Sequence, residues 1–91
     1  MEKQLHIFYS GKVQGIGFRY AVLEIAIQEK VSGWVKNLKD SRVEVIIEGS
    51  QASLDNFLEK VSSKFSNYIE DTAIEELPAG LRFQDFKIKF E

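Results

Sequence analysis

Gly11-Lys12-Val13-Gln14-Gly15-Ile16-Gly17-Phe18-Arg19 lies between an extended apolar run (Leu5, Ile7, Phe8, Tyr9) and a segment of helical spacing that opens near Phe18. Three glycines in seven residues at that junction predict a strand-to-helix turn. Without a Cβ, glycine lets successive backbone N–H groups converge, and the start of the next helix adds unpaired N–H groups and a partial positive charge. Such a turn suits an anion. Arg19 adds a planar, permanently charged fork that matches phosphate or carboxylate oxygens.

Common phosphate fingerprints fit poorly. A dinucleotide loop needs a third glycine where Tyr20 stands, and no Lys-Ser or Lys-Thr pair follows as a P-loop requires. With no cysteine in the chain, a phosphatase loop built on a thiolate is excluded.

Outward from the loop, Gln4 to Ser10 reads as a first strand rich in β-formers. A helix is predicted over Phe18 to Lys30, with Phe18, Val22, Ile25 and Ala26 on one stripe, ended by Ser32-Gly33. Trp34 to Leu38 reads as a second strand. In the third, Val43, Val45 and Ile47 alternate with Arg42, Glu44 and Glu48, so one face is buried. The two are expected to form a hairpin through a two-residue turn at Asp40-Ser41, both central residues at positive φ. Ser50 is a candidate N-cap for a helix to about Lys64, on which Leu54, Phe57, Leu58, Val61 and Phe65 form one core-facing stripe. A fourth strand is placed within Ile69 to Leu77, a turn at Pro78-Ala79-Gly80, and a short last strand from Phe86 to Phe90.

The loop closely resembles the first signature of the acylphosphatases, small enzymes that hydrolyse the carboxyl–phosphate bond. Gly33-Trp34-Val35-Lys36-Asn37, followed by Val43 and Gly49, resembles the second, and the resemblance spans nearly the whole chain. One position departs from the pattern: Ser41 stands where the family usually has a turn glycine.

The order β-α-β-β-α-β plus a terminal strand is the α+β, ferredoxin-like split β-α-β sandwich, and the resemblance implies the same fold: a mostly antiparallel sheet with two helices on one face. A single domain over 1–91 is expected. Strands one and two should run parallel with strand three between them. Asn37 then lies near the same sheet edge as the glycine loop, two strand spacings or roughly 10 Å away.

The resemblance implies a site in which Gln14, Gly15, Ile16, Gly17, Phe18 and Arg19 bind the phosphoryl group. Backbone N–H groups and the Arg19 guanidinium would stabilise its developing charge, and Asn37 would position the attacking water. It implies no cofactor and no metal, an acyl phosphate as small-molecule substrate and inorganic phosphate as product. Read without the family, Arg19 could instead pair with Glu24 at the surface, and Asn37 could simply begin a turn. His6, the sole histidine, lies roughly 15 Å of extended chain before the loop, too far for acid–base work there.

Ninety-one residues suffice for one core, and the apolar fraction of 44% and charged fraction of 29% are those of a soluble globular protein. No run approaches the roughly 20 apolar residues of a membrane span, and Met1-Glu2-Lys3-Gln4 leads into strand alternation without a secretory core. Zero cysteines fit a reducing cytoplasm. A formal net charge of -2, with Glu44 and Glu48 on the open side of strand three, opposes nucleic-acid binding. A monomer is expected. The rival reading is a non-catalytic anion-binding module on the same fold.

Overall fold

A computed structural model describes residues 2–80 and 83–90. Its elements run β1 (Glu2–Gly11), α1 (Phe18–Glu29), β2 (Ser32–Asn37), β3 (Val43–Ser50), α2 (Gln51–Lys64), β4 (Ile69–Leu77) and β5 (Phe86–Lys89). The sheet order is β4-β1-β3-β2-β5. Three neighbouring pairs are antiparallel and the β2–β5 pair is parallel. The ferredoxin-like class expected from element order is therefore the one adopted.

Period-two alternation sets the register. Leu5, Ile7 and Tyr9 stand opposite Ile47, Val45 and Val43, and all six are buried on the face that carries the helices. A slip by one residue would send this row to the opposite face. Phe18, Val22, Ile25 and Ala26 of α1 and Leu54, Phe57 and Val61 of α2 complete the core, with Val35 and Phe86 from β2 and β5. An ion pair between Glu29 and Lys60 ties the two helices together. Lys60 also holds the Glu29 carboxyl below the ordinary carboxylate range.

The two helix starts differ. Ser50 caps α2, its Oγ accepting from the Ser53 N–H at 3.2 Å, as its residue type predicted. The N-cap of α1 is Gly17, at φ 78° and ψ 17°, with no side-chain cap and no acidic residue in the first turn.

Two local readings need correction. Ser32 and Gly33 do not break α1. Lys30, at φ 59°, ends it, and Ser32 and Gly33 are already in β2. Gly33 is required for closeness, because a Cβ there would meet the Ile46 carbonyl oxygen at 1.8 Å. The hairpin loop is also not a two-residue turn with paired positive φ. The Leu38 N–H bonds to the Arg42 carbonyl at 2.8 Å and the Ser41 N–H to the Leu38 carbonyl at 3.3 Å. This leaves a three-residue loop, Lys39 to Ser41, with only Ser41 at positive φ (74°). That is the pattern of a turn followed by a left-handed residue, and glycine suits only its last position. The Asp40 carboxylate closes it by accepting from the Arg42 backbone N–H (3.1 Å) and Nε (2.8 Å), which lowers the Asp40 pKa.

β4 is an edge strand, exposed at every residue from Glu70 to Glu76. Because β1 and β2 each run antiparallel to β3, they run parallel to each other, and their C-terminal ends share one edge of the sheet.

Candidate active site

At that edge the chain leaves β1 and turns into α1 through Gly15 and Gly17, both at φ 78°, a left-handed conformation open to glycine at little steric cost. A Cβ at either would meet nothing within 4 Å. Here the glycines serve the turn itself and leave the space in front of it clear. The first intrahelical bond of α1 runs from the Ala21 N–H to the Gly17 carbonyl at 3.1 Å. The N–H groups of Phe18, Arg19 and Tyr20 precede it and have no intrahelical acceptor. With no capping side chain over them, they form an open donor set at the positive end of the helix.

In front of these donors is a pocket of about 90 Å³ lined by Gly15, Gly17, Phe18 and Arg19 from the loop and by Asn37 from β2. That volume equals about three waters at roughly 30 Å³ each, room for a phosphoryl group and little more. The Asn37 side-chain oxygen is buried without a hydrogen-bond partner. An unpaired buried carbonyl is expensive to keep and calls for a reason. Arg19 is half-buried, with its guanidinium carbon 5.1 Å from the centroid of the Phe90 ring. It enters none of the ion pairs among the described residues, so the surface pairing with Glu24 is not formed.

Of the six residues expected to bind the phosphoryl group, four line the pocket. Phe18 does so only through its position at the helix start, since its ring is in the core, edge-on to Tyr9 and Phe65. Ile16 exposes its side chain and is not part of the lining. Gln14 also stands outside the lining: its Nε2 donates to the carbonyls of Leu38 (2.8 Å) and Arg42 (2.9 Å) across the β2–β3 hairpin. Val13 and Tyr20 line the pocket without having been singled out. In the sequence Phe90 shows only strand alternation. Its place beside Arg19 depends on the parallel β2–β5 pairing, for which no local signal exists.

His6 lies on the opposite face, bonded to Glu44 at 2.6 Å. Among the described residues no cluster of three or more His, Cys, Asp or Glu side chains could hold a metal ion.

An open α+β sheet with an uncapped helix start, an arginine and an unpaired asparagine carbonyl at one edge defines a small anion-handling domain. The chain belongs to the acylphosphatase family, whose model matches residues 5–88. An acylphosphatase of Bacillus velezensis is 44% identical over 89 residues, covering 96% of this chain and 98% of that protein. The crystal structure of the acylphosphatase from Bacillus subtilis superposes with a TM-score of 0.88 at 36% identity, over 98% of this chain and 99% of that one. An acylphosphatase structure from Coxiella burnetii gives 0.85 at 29% identity, over 97% and 93%.

Proposed function

We propose that this chain, acting as one domain over 1–91 and as a monomer, hydrolyses acyl phosphates with Arg19 and Asn37 as its catalytic residues. Membership of the acylphosphatase family over residues 5–88 supports the activity. The observation that carries the residue roles is that Asn37, whose side-chain oxygen is buried without a partner, lines the same small pocket as the start of α1. A carbonyl oxygen with free lone pairs accepts a hydrogen bond from a water and aims that water's own lone pair at phosphorus.

The phosphoryl oxygens sit among the N–H groups at the helix start, and the Arg19 guanidinium binds them as charge grows in the transition state. Water attacks phosphorus, the phosphorus–oxygen bond to the acyl group breaks, and the carboxylate leaves with the bonding electrons. A phosphate oxygen takes the proton, giving a carboxylate and inorganic phosphate. An acyl phosphate is a mixed anhydride, so its barrier yields to positioning and electrostatics without a side-chain nucleophile.

Arg19 and Asn37 line one pocket within a single chain, so the proposed site needs no residue of a second copy. The absence of cysteine supports a reducing cytoplasm. No helix among the described residues is long and apolar enough to cross a membrane. Hydrolysis of a simple acyl phosphate by the purified protein tests the proposal. Binding of phosphate without turnover would establish the non-catalytic module instead.

A further inference from the structure

The open face of the sheet carries a second arrangement that hydrolysis does not use. Trp34 on β2 stands opposite Lys87 of β5, and Lys36 opposite Lys89, so the four side chains form a block at the parallel edge. The ammonium groups of Lys36 and Lys89 lie 5.3 and 4.7 Å from the Trp34 ring centroid. Lys36 has a carboxylate partner, Glu44, at 3.7 Å. Lys87 and Lys89 enter no ion pair among the described residues. Like charges facing across a strand pair destabilise it, and here they gather around one indole in a chain whose formal net charge is -2.

Glu44 and Glu48, whose charge on this face opposes nucleic-acid binding, are already engaged. Glu44 is bonded to His6 and Lys36, and Glu48 is buried and accepts from Gln4 at 3.1 Å. Beside the block lies a cavity of about 300 Å³ that includes Trp34, Phe83, Asp85, Lys87 and Lys89. Aromatic rings take a planar base, unpaired lysines take a phosphate, and a carboxylate accepts from a base amino group or a ribose hydroxyl. The volume falls at the small end of ligand pockets and fits one nucleotide unit.

We propose that this cavity is a second binding site, for a nucleoside monophosphate, with the base stacked on Trp34 and the phosphate held by Lys87 and Lys89. Trp34 and Lys36 point away from the helices while Val35, between them, is buried on the helix side. The site therefore lies across the sheet from the Arg19 pocket.

Trp34 is the only tryptophan, so its fluorescence reports on the site directly. Titration with adenosine monophosphate is expected to quench it saturably, with inorganic phosphate and adenosine each binding roughly tenfold more weakly. Lys87→Ala/Lys89→Ala alters two exposed side chains and should weaken binding about tenfold, increasingly so as salt is lowered. Equilibrium dialysis of Trp34→Leu should show a similar loss. Arg19→Ala should leave adenosine monophosphate binding unchanged. The proposal fails if quenching does not saturate, if phosphate alone binds equally well, or if Arg19→Ala removes the binding, which would place the ligand at the candidate active site. Affinity that climbs with oligonucleotide length would also overturn it, in favour of a strand-binding surface.

Discussion

Gln14 donates a hydrogen bond from Nε2 to the carbonyl oxygen of Leu38 at 2.8 Å, one residue beyond Asn37. Through this bond and its companion to Arg42, the glycine loop is fastened to the hairpin that carries Asn37. Gln14→Leu is expected to lower kcat about tenfold through misplacement of Asn37, with inhibition by inorganic phosphate little changed. Parallel loss of phosphate inhibition would make Gln14 a direct phosphate contact.

Arg19 and Asn37 should separate in their kinetics. Arg19→Ala is expected to abolish activity and weaken phosphate inhibition, because the role proposed for the guanidinium is to hold the phosphoryl group before and during reaction. Asn37→Ala should lower kcat by about a hundredfold or more with phosphate affinity nearly intact, the mark of an interaction made in the transition state. Near-normal turnover in Asn37→Ala would end the water-positioning role.

Charge stabilisation is assigned here to Arg19 and backbone N–H groups, so turnover should survive exhaustive chelation. Activity lost to a chelator and restored by a divalent ion would overturn that assignment.

Ser41 holds φ 74° in the last position of its loop. Ser41→Gly should stabilise the protein by about 0.5 to 1 kcal/mol, read from the denaturant midpoint, with kcat unchanged. A lower midpoint would mean that the bond from Ser41 Oγ to the Asp40 carbonyl outweighs the backbone strain.

The Tyr9 hydroxyl is buried without a partner, and burial raises its pKa above the ordinary tyrosine value. Removing an unsatisfied buried group is favourable, so Tyr9→Phe should gain about 1 kcal/mol at neutral pH. The sign with pH follows from linkage. Above about pH 10 the unfolded chain releases the tyrosine proton while the folded chain keeps it, so stability falls as pH rises. Tyr9→Phe should fall less steeply there in denaturant titrations at graded pH. An unchanged alkaline slope would show that Tyr9 has no part in it.

Periodicity made the layered fold legible, since Leu5, Ile7 and Tyr9 alternate along β1, Val43, Val45 and Ile47 alternate along β3, and each helix buries one apolar stripe. It failed where a single backbone angle decides. Lys30 ends α1 in a left-handed conformation that glycine more often takes, so Ser32-Gly33 looked like the breaker. β4 gave no clean period because it is exposed on both faces along most of its length, and no core imposes alternation on it. The loop announced Gly15, Gly17 and Arg19 by composition. Gln14 could not be told from a phosphate ligand, because its partners are two backbone carbonyls more than twenty residues away.

That unpartnered edge bears on how copies of the chain behave in company. The outer rim of β4 offers unpaired N–H and C=O groups to any strand that approaches, the usual template for intermolecular sheet growth. Glu70, Asp71, Glu75 and Glu76 give it a dense negative charge, so two such rims repel each other near neutral pH. Protonation of these carboxyls in acid removes the repulsion while Ile69, Ile74 and Leu77 remain as cohesive side chains. Acidified stocks would then be the condition in which the protein is most prone to build β-rich aggregates from an otherwise intact fold.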